Sequence, residues 1–182
     1  MDPITVSVSI AKPREEVFAY LADIANHAEF TDHFLVDWRL TREETVGRGA
    51  GARFRMKMPL NRFPWGDANF TEVEAPRRIV ERGRAGKYNR IRTLGIYEVD
   101  PGPSGTTRVT FTFETLPKTP SDKLLEKLGA RTWMKRKLSK SMRRLREVLE
   151  EDRGRGARPT IAGGPRKPAS QFRFEPSARA DG

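Results

Sequence analysis

Between Thr119 and Glu150 the chain changes its period. Leu124, Leu125, Leu128, Met134, Leu138, Met142, Leu145 and Leu149 recur at helical spacing and draw one apolar stripe, with Lys and Arg crowding the opposite side. Thr119 suits the N-cap of this helix and Pro120 its first turn, and Asp122 follows Thr119 by three as in a capping box. Most apolar segments before it alternate with period two, as strands do when one face is buried and the other is wet. A sheet with one apolar face needs a cover, and no other helix in the sequence is large enough to supply it. The expected core therefore lies between an antiparallel sheet and the last helix.

The strands can be read one by one. "ITVSVSI" sets Val6, Val8 and Ile10 against Thr5, Ser7 and Ser9. "KPREEVFAYLADIANH" then places Val17, Phe18, Leu21, Ile24 and Ala25 at helical spacing, with Pro13 suited to the first helical position and a short second helix expected over residues 26 to 32. "FLVDWRLT" turns Phe34, Val36, Trp38 and Leu40 to one face. "ARFRMKM" turns Ala52, Phe54, Met56 and Met58 inward and Arg53, Arg55 and Lys57 outward. The glycines of "GRGAGA", residues 47 to 52, lie between these two strands, so they read as a hairpin turn and not as a nucleotide-binding loop. Further strands are expected near residues 68 to 75, 78 to 86 and 90 to 100, and "TRVTFTFETL" supplies the last, with Val109, Phe111 and Phe113 on one face.

The order strand, two short helices, six strands, long C-terminal helix resembles the START-like (SRPBCC, helix-grip) superfamily. The stretches "SIAKPREEVFAYLADIANHAEF", "EVEAPRRIV" and "GIYEVDPGPSGTTRVTFTFE" carry the likeness, over residues 4 to about 150. The polyketide cyclase/dehydrase branch, with the coenzyme Q-binding carriers, is the most similar in feel. The resemblance implies an α+β helix-grip fold, a curved antiparallel sheet of about seven strands wrapped around the last helix. It also implies a hydrophobic ligand, such as a lipid, isoprenoid or polyketide, with cyclisation in a minority of members.

The residues themselves raise the question of a cavity. Charged Arg90, Arg92 and Glu98 put Ile91, Thr93, Gly95, Tyr97 and Val99 on the inner face, and Thr93 and Gly95 are small where a packed sheet wants volume. Gly129 also leaves room, at a cost of about 1 kcal/mol relative to Ala within a helix. With the resemblance, the expected lining is Phe54, Met56, Met58, Phe70, Thr93, Tyr97, Phe111, Phe113 and Met134, with Trp65 as a lid and the loop of residues 59 to 67 as the way in. Tyr97 and Thr93 would orient the ligand. Tyr97, His33 and Arg53 are the candidates for proton transfer or enolate steering if the protein is a cyclase or dehydratase, although Arg53 lies on the polar parity of its strand.

His27 and His33 are the only histidines, six positions apart and without cysteine, which does not suit zinc. In a helix-to-strand corner they are expected to be surface or capping residues, and strand parity points His33 outward. No cofactor is expected.

The formal charge of +11 favours anionic company. On the last helix Arg131, Lys135, Arg136, Lys137, Lys140, Arg143 and Arg144 could meet an anionic membrane or an acidic partner; no motif for specific nucleic-acid recognition accompanies them. The N-terminus begins an alternating strand without a basic leader, and no apolar run approaches the ~20 residues of a membrane span. A cytoplasmic location is the expectation. The domain is expected to occupy residues 1 to 151, followed by a flexible basic tail of residues 152 to 182, rich in Gly, Pro and Arg. Three functions follow: binding or transport of an apolar or amphipathic molecule, polyketide-type cyclisation or dehydration, and a basic module for anionic surfaces.

Overall fold

A computed structural model of the protein describes residues 2–58, 62–116, 130–153, 156 and 158–161. Seven strands form one curled antiparallel sheet. They are β1 Ile4–Ile10, β2 Leu35–Leu40, β3 Gly51–Met56, β4 Trp65–Glu74, β5 Arg78–Ala85, β6 Ile91–Pro101 and β7 Thr107–Leu116. From β2 to β7 each strand pairs with the next in sequence, and β1 pairs with β7, so the order is β1-β7-β6-β5-β4-β3-β2. Helices α1 Arg14–Leu21 and α2 His27–Thr31 fill the crossing from β1 to β2, joined by a turn of 3-10 helix at Ile24–Asn26. Helix α3, Arg131–Glu151, lies along β1 and α2.

The period change described above is what builds the core. Met134, Leu138, Met142 and Leu145 of α3 are buried against Ile4, Val6, Phe34 and Phe111 and their neighbours. Burial of a leucine such as Leu145 stabilises by about 2 kcal/mol or more. Polar contacts fix the register of the helix. Glu150 Oε1 accepts from the Ala11 amide at 2.6 Å, and the Arg144 guanidinium reaches the Asp32 carboxylate and the Glu29 carbonyl. The expected cap at Thr119, Pro120 and Asp122, together with Leu124, Leu125, Leu128 and Gly129, lies outside the described residues.

Two sequence expectations change. Strand β2 does not alternate cleanly: Asp37 has φ 55°, the register slips between Val36 and Arg39, and Leu35 takes the place on the core that Val36 was expected to hold. A bulge adds one residue, and one residue is enough to swap faces. Nor does the chain leave the body at residue 152. Asp152, in the left-handed region with φ 53°, ends α3. The Gly156 amide donates to the Glu29 carbonyl at 3.2 Å, and the Thr160 carbonyl accepts from Leu40 at the edge strand β2 at 3.1 Å. Arg158 pairs with Asp23, and Pro159 is buried. Composition argues only that such a segment cannot form a core of its own. It does not prevent docking on backbone groups of the body such as the Glu29 carbonyl and the edge-strand amide of Leu40.

Gly156 shows how close that docking is, because a Cβ there would lie 3.0 Å from the Ala28 carbonyl oxygen and 3.2 Å from the Glu29 Cα. Gly156→Val is expected to lower stability by about 1–2 kcal/mol in urea titration, by lifting the segment off α2. An unchanged midpoint would mean that the segment contributes nothing to the folded body.

Candidate ligand-binding site

A cavity of about 70 Å³ lies between the inner face of the sheet, α2 and α3. Taking about 10–15 Å³ of such space per water, it has room for five or so waters, the space of a small ligand. Strand alternation brings Phe54, Met56, Gly66, Ala68, Ala85, Thr93, Phe111 and Phe113 to its floor and walls. Helix α3 closes it with Met134, Leu138, Ser141 and Met142, and the α1–β2 corner adds Ile24, Phe30, Thr31, Phe34, Leu35 and Trp38. The space exists because Gly66, Ala68 and Ala85 put almost no side chain on the inner face of β4 and β5.

Three titratable side chains deep in this lining carry its chemistry. Glu81 follows Ile79 on the inner parity of β5 and stands opposite Gly95 of β6. A Cβ on Gly95 would sit 2.4 Å from Glu81 Oε1 and 2.6 Å from its Cγ, so the glycine clears the path along which the carboxyl reaches the cavity. The Glu81 side chain is half-buried in the cavity lining, and no described residue gives it a hydrogen bond or ion pair. Burial pushes its carboxyl up from 4.5 to about 7. Tyr97, two residues after Gly95, stacks on Phe111 with ring centroids 4.2 Å apart. Burial, and then the charge of Glu81, push its phenol well above the usual value.

His27 is the third. Its Nε2 lies 2.9 Å from the Leu21 carbonyl oxygen, which can only accept, so Nε2 carries the hydrogen and Nδ1 keeps a lone pair. Burial lowers its pKa to about 4, and the neutral ring packs against Phe30, Phe70 and Tyr97 at 5.3, 5.4 and 5.3 Å.

Of the expected lining, Phe54, Met56, Thr93, Tyr97, Phe111, Phe113 and Met134 face the cavity. Met58 packs on the core without reaching it, and Phe70 is a fully buried residue behind His27. Trp65 is no lid: one residue before Gly66, it takes the opposite parity and lies under the guanidinium groups of Arg53 and Arg39, at 5.1 and 5.8 Å. Arg53 is thus on the outer face, as its parity implied. His33 does not reach the cavity either; its Nε2 lies 3.2 Å from the Lys137 carbonyl of α3. The expectation of a surface or capping role fails for His27, which is in the core, because the corner folds under the sheet. On α3, Arg131, Lys135, Arg136, Lys140 and Arg143 are exposed, whereas Lys137 is half-buried over Trp133 and Arg144 turns inward to Asp32. Glu81 was the residue missed. Its signal was a charge on the inner parity of a strand, between Ile79 and Gly83.

Ionising Glu81 is harder in the folded chain than in the unfolded one. Its stabilising contribution is full below pH 4.5 and is lost as pH rises through about 7. Glu81→Gln, which does not titrate, is therefore expected to gain on the wild-type protein between pH 5 and pH 8, by about 1–3 kcal/mol in urea denaturation. A constant difference across that range would contradict a buried, unpaired carboxyl.

Comparison with known proteins agrees with this architecture. No curated protein matches the chain in sequence. The protein TTHA0849 of Thermus thermophilus superposes with a TM-score of 0.63 at 15% identity, covering 83% of this chain and 99% of that one. Truncated norcoclaurine synthase of Thalictrum flavum does so with a TM-score of 0.63 at 11% identity, covering 82% and 94%. DynU16, from the dynemicin biosynthetic locus, gives 0.57 at 18% identity over 85% of this chain and 49% of its own. These likenesses establish the fold, and the sequence itself matches the family description over residues 1–150. With its helix-grip sheet and helix, the chain belongs to the polyketide cyclase / dehydrase and lipid transport family of the SRPBCC type.

Proposed function

We propose that the protein binds a small apolar or amphipathic molecule between the sheet and α3. The observation that carries this reading is the cavity itself: an apolar enclosure left unfilled by three small residues on β4 and β5, in a fold that otherwise packs its inner face tightly. Its size favours a small ligand, and a longer lipid or polyketide requires Met56, Met134 and Met142 to give way, which thioether side chains do readily. Support for the membership of the ligand in the polyketide or lipid class comes from the family.

The enzymatic alternative changes its cast. His33 and Arg53 lie away from the cavity, so a cyclase or dehydratase step would fall to Tyr97 with Glu81. The exposed lysines and arginines of α3 support a further role at anionic surfaces. No helix among the described residues is long and apolar enough to cross a membrane, so such contact would be peripheral.

Methionine-methyl NMR tests the main reading directly. Toluene, which has no polar end, is expected to shift the methyl signals of Met56, Met134 and Met142, and to lose that effect in Ala68→Phe, whose ring would occupy the space. Protein purified from its native host is expected to release a small apolar compound on denaturing extraction. No methyl shift and no released compound would sink the proposal. For α3, binding to vesicles rich in anionic lipid is expected to weaken between low and moderate salt, and Lys135→Glu/Lys140→Glu to weaken it at low salt. Salt-independent binding would rule out the electrostatic contact.

A further inference from the structure

The Glu81 carboxyl is a costly group to leave without a partner among the described residues, and nothing in the fold requires it. A buried polar group without a hydrogen bond costs about 1–3 kcal/mol, and an ionised one more. Ile79 holds the preceding inner position of the strand, and an apolar residue would serve the core here as well. Instead the chain places a carboxyl on the inner face and a glycine opposite, where a Cβ would collide with the carboxyl oxygen at 2.4 Å. The pair places the carboxyl oxygens at the lining of a largely apolar cavity.

The rest of the lining decides what those oxygens can meet. Apart from Glu81, the titratable groups around the cavity are His27 of the α2 corner, Asp67 of β4, Arg84 of β5 and Tyr97 of β6; α3 and β7 contribute none. Arg84 and Asp67 stand opposite one another on the outer parity of their strands, where the Arg84 amide donates to Asp67 Oδ1 at 2.8 Å. His27 is neutral and turns its Nε2–H away to Leu21. Among the described residues, no cation on the inner face is therefore placed to hold an anionic ligand, although the protein as a whole carries +11.

We propose that Glu81 is the polar anchor of the cavity, and that its ligand is a small, mostly apolar molecule whose single polar end donates hydrogen bonds, best of all as an amine, and is not an anion. The proposal rests on the cavity being a binding site and adds the chemical class of the ligand. A protonated amine forms a charge-assisted hydrogen bond with the carboxylate, and an alcohol donates a neutral one. A carboxylate would bring two like charges into the same enclosure. The raised proton affinity of Glu81 makes amine binding depend on pH, since the carboxyl must ionise to pair.

Octylamine, 1-octanol and octanoate share one apolar body of suitable size and differ only at the end, so their titration into the full-length protein, read at the Met56, Met134 and Met142 methyls, tests the idea. At pH 8 the amine is expected to bind at least roughly tenfold more tightly than octanoate, with the alcohol between. Lowering the pH to 5.5 should weaken the amine by about tenfold, because Glu81 takes up its proton while the amine keeps its own. Glu81→Gln should remove both the preference and the pH dependence. Equal affinities, or tighter octanoate, with toluene still bound would overturn the anchor and leave the cavity reading standing. If toluene fails too, both fall. Comparing probes on the wild-type protein keeps the test valid whatever the stability of the variant.

Discussion

The packing of α3 on the inner face of the sheet is the contact on which the rest of the molecule depends. Without that cover, Ile4, Val6, Phe111 and Phe34 would face water, and a sheet with one wet apolar face is not stable alone. The same contact defines the cavity, because Met134, Leu138 and Met142 form its roof at the places where β4 and β5 offer only small residues below. Core and site are thus one surface, filled at the β1 side and open toward β4 and β5. The segment after α3 reinforces the arrangement by returning over α2 to the edge of β2, where the Thr160 carbonyl accepts from the Leu40 amide.

Within that enclosure the Glu81–Gly95 pair is the clearest departure from what stability alone would select. Local rules of patterning favour an apolar residue at an inner strand position, and violations of such rules concentrate at functional sites. His27 is a contrasting case. It is buried, its Nε2–H is satisfied by the Leu21 carbonyl, and its ring serves as packing between Phe70 and Tyr97. Two titratable groups on the same cavity lining therefore have different standing: one is a contented part of the core, the other has no hydrogen-bond partner among the described residues. Their pH responses are opposite as well, since burial opposes the charged form of each and those forms carry opposite sign.

Much of this is legible in the sequence wherever period and parity suffice. Seven strands, two short helices and a long covering helix follow from alternation in "ITVSVSI" and "TRVTFTFE" and from the helical stripe on α3, and the inner positions Phe54, Met56, Thr93, Tyr97, Phe111 and Phe113 follow from counting twos. The misreadings have particular causes. Trp65 reads as a lid because Pro64 and Gly66 give its surroundings the look of a loop; β4 starts at Trp65, and parity then sends the indole outward beneath Arg53. Val36 and Leu35 exchange places through a single bulge at Asp37. His27 reads as a surface residue because polar neighbours surround it in sequence, although Phe30 and Phe70 surround it in space.

By itself, then, the sequence determined which residues share a face, because a side chain's face within an element depends only on the local repeat of two or 3.6. It also determined that one helix must cover the sheet, since an apolar face and an apolar stripe of matching extent have only each other to bury. Tertiary structure alone decided where that burial is incomplete. Whether Gly95 leaves a void for a ligand or a channel for the Glu81 side chain depends on the neighbouring strand's register, on the curl of the sheet and on the distance to α3. Those are properties of packing between segments far apart in the chain, and no local period encodes them.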